Sequence, residues 1–265
     1  MWRLGVVAVR EVVLSVVASV IAGSAVWLFQ RLLHYRRMAR KRAFFGVAPG
    51  ANCVLVSPRH FSSPQADSVH RRDMAALVEL ATIVNDCGGR TEVVAEDAGQ
   101  HGLGRLTEFC IGSPAANART AAHLRAIIPS VRFESDDGPG GTALAIEVGA
   151  TAYPASSSLA EYAVLAKTHV PDTANPVFIL AGQTARANLA AARLLASRYR
   201  SLLKAHGASG RFCLVLKIVE PLAFGPDFVE IVADATAEAF QASPPPPGRT
   251  ESAEPDRQPQ DHRAE

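Results

Sequence analysis

The chain has 265 residues, of which 48% are hydrophobic, and it carries a formal net charge of +2. Residues 31–42 hold six of the positive charges and no acid, so subtracting them leaves a net −4 for the remainder. A slightly acidic remainder lacks the basic surface that nucleic-acid binding requires, and DNA and RNA are excluded as predicted partners. Without its two unusual ends, the chain has the size of one ordinary domain.

An uncharged run of 18 residues, VVLSVVASVIAGSAVWLF (12–29), follows a short flank (1–11) and precedes a basic juxtamembrane linker (34–51). Extended to residue 33, the run is long enough to span a bilayer as a helix. The excess of Arg and Lys after it predicts a single-pass protein of the cell membrane whose C-terminal domain is cytoplasmic. The alternative is a signal peptide cleaved near residues 22–25, which the continued apolar run through Phe29 disfavours.

Small residues recur every four positions in this run, at Ser15, Ser19 and Gly23. Such a face allows two helices to approach closely, which predicts a homo-oligomer formed through these residues. The alternative is that small residues are simply common in an Ala-rich anchor.

Short apolar runs alternate with helical patterns over residues 52–240. Asp67 and Ser68 are predicted to cap the first helix, whose apolar stripe is Met74, Leu77, Val78, Ala81 and Val84. The predicted strands are 53–57, 91–95, 108–112, 131–134, 143–148, 162–168, 177–181, 212–219 and 228–233, and the predicted helices are 67–87, 115–128 and 185–206. Residues 241–265 contain six prolines and no apolar pattern, which predicts a disordered tail.

This alternation predicts an α/β fold: a three-layer, Rossmann-like domain with a mostly parallel sheet, preceded by one transmembrane helix. Strands 143–148 and 162–168 are expected to pair with each other as an antiparallel addition.

Three turns, at residues 57–60, 112–117 and 182–188, follow predicted strands and are expected at the edge where α/β proteins bind ligands. Two of them combine a glycine, small polar residues and a helix start, a combination suited to anions. The alternative is that the polar residues only cap the helices. The candidate ligand-binding residues are Ser57, Arg59, Gly112, Ser113, Asn117, Arg119, Gly182, Gln183, Thr184 and Arg186.

The usual cofactor and metal signatures are missing. The chain has neither the dinucleotide-binding G-x-G-x-x-G at these turns nor the phosphate-binding G-x-x-x-x-G-K-[ST] anywhere, so no cofactor is predicted. Four cysteines (53, 87, 110 and 213) fit no zinc spacing and are expected to be buried free thiols, and no metal is predicted. Among groups able to transfer protons, His60 and Glu96 lie nearest the predicted ligand edge.

Four segments carry a resemblance: TEFCIGSPAANARTAAHL (107–124), EYAVLAKTHV (161–170), VFILAGQTARANLAAARLLASRYRSL (177–202) and FCLVLKIVEPLAFGPDFVEIVADAT (212–236). Over most of residues 50–240 the chain resembles an uncharacterised actinobacterial family with an N-terminal transmembrane segment and one Rossmann-like domain. That resemblance implies a fold and no activity. In architecture alone, the chain is also similar to nucleotide-sensing domains attached to membrane helices in bacterial conflict systems. It lacks their Gly-Gly signatures, which leaves the ligand open.

Three functions are compatible with these features. The first is a membrane-tethered module that senses or binds a small anionic, nucleotide-like ligand at the three turns. The second is an enzyme acting on a nucleotide or a sugar phosphate, with His60, Arg59 or Glu96 in its site. The third is a scaffold that binds protein partners. The binding module is favoured, because no acid–base pair is evident from the sequence.

Overall fold

The computed structural model describes residues 2–60, 63, 65, 68–97, 102–135 and 144–241, and within these ranges it describes the side chains from residue 19 onward except that of residue 135. Helices and strands alternate along most of the chain. In order they are α1 (Trp2–Phe45), β1 (Asn52–Ser57), α2 (Arg71–Asp86), β2 (Arg90–Ala95), β3 (Thr107–Ile111), α3 (Ala118–Ile127), β4 (Val131–Ser135), β5 (Leu144–Val148), β6 (Thr151–Tyr153), β7 (Ala160–His169), β8 (Pro176–Gly182), α4 (Ala185–His206), β9 (Phe212–Val219), α5 (Pro221–Phe224), β10 (Val229–Asp234) and α6 (Thr236–Ala239). The predicted elements all occur within these bounds or close to them, and the predicted tail lies outside the described residues beyond residue 241.

A seven-stranded mixed sheet forms the centre, in the order β10-β9-β7-β8-β3-β1-β2. Strands β2, β1, β3 and β8 pair in parallel, whereas β7 and β10 run against their neighbours. The α/β prediction with a largely parallel core is therefore confirmed. Strand β8 is buried along its whole length, as its uninterrupted apolar sequence predicts for a central strand covered on both faces.

Each face of this sheet is covered by a separate apolar cluster. The end of α1, together with α2 and α4, packs on one face. On the other face lie α3, α6 and strands from a small sheet. The two clusters make three layers, and the four parallel strands point their carboxyl ends toward one shared edge.

The predicted pairing of 143–148 with 162–168 is wrong. Strand β5 pairs with β4 and β6 in a separate three-stranded antiparallel sheet, whereas β7 enters the main sheet between β8 and β9. A run of ten residues in which most side chains are buried is stabilised better in the sheet centre than in a two-stranded ribbon.

The predicted start of the first helix is also wrong. Helix α2 begins at Arg71, and His70 caps it by accepting a hydrogen bond from Arg72 N at Nδ1 (3.1 Å). Asp67 lies outside the described residues. The later start accompanies a different orientation about the helix axis: Met74 and Val78 of the predicted stripe are exposed, whereas Ala76, Leu80 and Ile83 are buried with Leu77 and Val84.

The end of α1 belongs to the core of the domain. Phe44 and Phe45 are fully buried, and Lys41 pairs with Asp86 at the end of α2 (2.8 Å). Lys167 is also fully buried, with its ammonium 4.6 Å from the centre of the Phe44 ring, and burial lowers the pKa of this lysine to about 8. The segment predicted as a linker, 34–51, therefore contains the residues that attach α1 to the domain.

In the described part of the chain, no helix combines the length and the apolar character needed to cross a membrane. The predicted span, 12–33, lies inside α1, and the side chains of its first part, 12–18, are outside the described residues. The transmembrane prediction is therefore not supported by the structure.

Candidate functional site

The three predicted turns meet at one edge of the main sheet. They follow β1, β3 and β8, which are neighbours in the sheet and run in the same direction. Gly112 has φ +100°, and a Cβ there would stand 2.8 Å from Pro58 of the first turn. At Gly182 a Cβ would stand 2.7 Å from the Cβ of Ala187, so glycine permits the start of α4 to pack against its strand.

A cavity of about 630 Å³, here called the helix-start cavity, opens between these turns. The first turn contributes Pro58, Arg59 and His60, the second Ser113, and the third the run 182–186. The wall also contains residues that were not among the sequence candidates, including His70, Arg72 and Asp73 from the beginning of α2, Glu161 of β7 and Asn188 of α4. A correct start for α2 would have predicted the first three, because the same rule about strand ends and helix starts applies to them.

The beginning of α4 is fixed by a buried carboxylate, Glu161 of β7. Thr184 donates to Glu161 Oε2 (2.7 Å), and Arg186 Nη1 donates to Glu161 Oε1 (3.1 Å). Thr184 also accepts from Ala187 N as the N-cap of α4 (3.1 Å). The Nε of Arg186 is buried and has no hydrogen-bond partner among the described residues. Arg186 also lines the cavity, where its position is fixed by the hydrogen bond to Glu161.

Gln183 has a structural position beside this cavity. Its Oε1 accepts from Tyr162 N (2.9 Å), and its Nε2 donates to the carbonyl of Pro154 (2.6 Å). Both ends of the side chain are therefore engaged in fixing β7 and the preceding loop, although the residue lines the wall.

Asp73 is a buried carboxyl group in the wall of the cavity. Asn188 accepts from Gly182 N at Oδ1 (2.7 Å), which turns its Nδ2 toward Asp73 Oδ1 (2.8 Å). Burial raises the pKa of Asp73 to about 6, against the lowering effects of the Asn188 hydrogen bond and of His60. This carboxyl therefore gains a proton, and the cavity loses a negative charge, as the pH falls through about 6.

Two histidines lie beside Asp73, with the ring centres of His60 and His70 5.4 Å apart. Because Nδ1 of His70 accepts the Arg72 N–H, the neutral ring carries its hydrogen on Nε2 and acts there as a donor. Burial lowers the pKa of His70, and nearby positive charges lower it further. His70 is accordingly suited to donating a hydrogen bond rather than to accepting a proton.

The second turn is largely satisfied by the protein itself. Asn117 is fully buried and caps α3, since its Oδ1 accepts from Arg119 N and Thr120 N (3.0 and 3.1 Å). Glu96 Oε2 accepts from Ala118 N (3.0 Å) and takes the position at the start of α3 that an anion would occupy. Of this turn's predicted residues, Ser113 reaches the cavity, whereas Asn117 serves as a helix cap.

The structure does not bring Arg119 to the cavity. Its guanidinium donates to both carboxylate oxygens of Glu108, from Nε to Oε2 (3.0 Å) and from Nη2 to Oε1 (2.8 Å). The same carboxylate contacts His123 Nε2 (2.8 Å) and accepts from Gly104 N (2.7 Å). Despite burial, the hydrogen bonds of His123 and Arg119 lower the pKa of Glu108 to about 2.

Ligand atoms of Glu108, Cys110 and His123 lie within 4.8 Å of one another, which is close enough to hold a metal ion. However, the guanidinium of Arg119 already occupies both oxygens of Glu108, and burial raises the pKa of the Cys110 thiol far above its usual range. A cation would have to displace the guanidinium and deprotonate this thiol. The cluster fits a buried ion-pair network better than a metal centre. The four cysteines are buried and free, as predicted.

Ser57 lines a second cavity of about 760 Å³, here called the outer cavity. Pro58, Arg59 and His60 separate it from the helix-start cavity, because they line both. Glu96 and Asp97, which follow β2, contribute carboxylates to the outer cavity. Ser57 therefore lies near the predicted site without facing its anion-suited part.

Comparisons with protein-family models, with curated proteins and with solved structures find no match to this chain.

Proposed function

We propose that this domain binds a small anionic ligand in the helix-start cavity. The observation that carries the proposal is the convergence of Arg59, Arg72 and Arg186 on one cavity at the start of α4. The N–H groups of Ala185 and Arg186 have no acceptor among the described residues, and the helix dipole favours a negative charge there. Three guanidinium groups against two carboxylates, Asp73 and Glu161, leave the wall with an excess of positive charge.

Sulfate is a suitable first probe, because it keeps its double charge throughout the pH range of interest. We expect calorimetry to show that the full-length protein binds sulfate, and we expect Arg59→Ala to weaken this binding at least about tenfold, because one charged hydrogen bond is lost.

The affinity for sulfate should also increase as the pH is lowered from about 8 to about 5.5, because Asp73 becomes neutral in that interval. Recovery of a bound phosphate ester unchanged would identify a binding module rather than an enzyme.

Arg198→Ala is the matched control, because Arg198 is exposed on α4 and lies outside the helix-start cavity. It removes the same charge and should leave the affinity unchanged. If sulfate does not bind, or if both variants weaken binding equally, the proposal is wrong.

An enzyme remains the second candidate function because of Asp73. A carboxyl group with a pKa of about 6, beside two histidines, is suited to proton transfer near neutral pH. Glu96, named for this function from the sequence, is instead engaged with Ala118 N and lies 3.9 Å from Arg59.

The scaffold hypothesis has support from exposed apolar residues near α5, which are Leu222, Phe224 and Phe228.

We further propose that α1 anchors the protein in the cell membrane, with the domain on the cytoplasmic side. Six large apolar side chains between Val20 and Phe29 are more than half exposed, and the basic segment follows them. The full chain should remain with membranes after alkaline extraction, whereas Ile21→Arg combined with Val26→Arg should release it. Release of the unaltered chain contradicts an anchor, and a shortened N terminus indicates cleavage. We also propose that the α1 helices of two copies pair through Ser15, Ser19 and Gly23.

A further inference from the structure

The outer cavity differs in chemistry from the helix-start cavity. Its wall contains the apolar side chains of Val69, Met74, Leu77 and Val93, together with the carboxylates of Glu96 and Asp97. Met74 and Val93 are 49% and 58% exposed. Exposed apolar side chains that line a concave surface are suited to cover a flat apolar group.

Charge is divided between the two cavities. Arg72 and Arg186 line the helix-start cavity alone, and Asp97 lines the outer cavity alone. Glu96 uses Oε2 for Ala118 N, and its Oε1 lies 3.9 Å from Arg59 Nε. The carboxylates of Glu96 and Asp97 repel an anionic group in the outer cavity, whereas they accept hydrogen bonds from the hydroxyl groups of a ligand.

Arg59 lies at the boundary between the helix-start cavity and the outer cavity. Its side chain is 55% exposed, lines both cavities, and is oriented by a hydrogen bond from Nη2 to the carbonyl of Ala115 (3.1 Å). A single molecule lying across Pro58–His60 would place one end in each cavity.

We infer that the ligand is a phosphate ester of a flat, hydroxyl-bearing ring compound, with a nucleoside monophosphate as its simplest form. Its phosphate lies in the helix-start cavity, and its ring and hydroxyl groups lie in the outer cavity. The inference rests on the proposed function, because it assigns the anionic end of the ligand to the cavity proposed there.

The test compares three probes on the full-length protein at about pH 8, where both phosphates are dianions: inorganic phosphate, adenosine monophosphate and adenosine. We expect adenosine monophosphate to bind at least about tenfold more tightly than phosphate, because it fills both cavities, and adenosine to bind most weakly. Met74→Gln combined with Val93→Gln should remove most of this advantage while leaving the affinity for phosphate within about twofold.

Val78→Gln is the control, because Val78 is 62% exposed on α2, one turn beyond Met74, and lines neither cavity. It should alter neither affinity. If phosphate binds and adenosine monophosphate binds no better, the inference is wrong and the proposed function stands. The inference is also wrong if the double variant weakens both probes equally. If neither phosphate nor the nucleotide binds, the proposed function fails as well.

Discussion

Glu108→Gln is expected to destabilise the folded domain by about 3–5 kcal/mol, since removing one partner of a buried ion pair leaves the other charge uncompensated. Glu108 is fully buried, and its carboxylate is the shared acceptor for Arg119, His123 and Gly104 N. Glutamine keeps the shape of the side chain but supplies neither the charge nor a second acceptor oxygen. Urea unfolding of both proteins, followed by circular dichroism, gives the difference in the free energy of unfolding.

The destabilisation caused by Glu108→Gln should also depend on pH. The folded protein lowers the pKa of Glu108 to about 2 from an ordinary value of 4.5. A lowered pKa contributes stability that is present above the ordinary pKa and is lost as the pH falls toward the folded value. The stability difference between the protein and Glu108→Gln should therefore shrink between about pH 4.5 and about pH 2.

Glu79→Gln is the appropriate control for the loss of charge. Glu79 pairs with Arg193 at 3.4 Å, and both side chains are more than a third exposed. Exposed ion pairs contribute at most about 1 kcal/mol, so this variant should unfold close to the unaltered protein. A Glu108→Gln protein as stable as Glu79→Gln would contradict the assignment of Glu108 as the centre of a buried network.

Local sequence patterns were sufficient to predict nine of the ten strands in the described residues, all but the short β6, and the edge where the three turns meet. The run 177–181 has no polar residue, which is typical of a central strand, and the parallel order of β1, β3 and β8 then places their turns together. Arg59, Ser113, Thr184 and Arg186 accordingly line one cavity at this edge.

Side-chain direction depends on partners that the same patterns do not specify. Arg119 follows the second turn, yet it pairs with Glu108 because that carboxylate is buried and needs a cation. Helix α2 begins later than its first polar residues suggest, and the shift turns Met74 and Val78 to solvent while bringing Asp73 into the cavity wall. Each outcome is decided by a contact between elements, and no single segment contains that information.

The attachment of α1 was missed for the same reason, because Phe44 and Phe45 follow a basic run that resembles a solvated connection. In the structure, the ring centre of Phe45 lies 5.6 Å from that of Phe178 in β8 and 5.7 Å from that of Tyr199 in α4. Arg42 Nε donates to the carbonyl of Cys87, directly after α2 (2.8 Å). Helices α2 and α4 thus begin at the helix-start cavity and end against α1.

Phe45→Ala should cost about 3–5 kcal/mol in the free energy of unfolding, because it leaves a cavity among Phe109, Phe178 and Tyr199. The same variant should loosen α1 from the domain, which limited proteolysis detects as faster cleavage at the basic segment. Phe29→Ala is the matched control: Phe29 lies on the same helix with 62% of its surface exposed, so its loss should alter neither measurement. If Phe45→Ala unfolds and is cleaved like Phe29→Ala, α1 does not form part of the domain core.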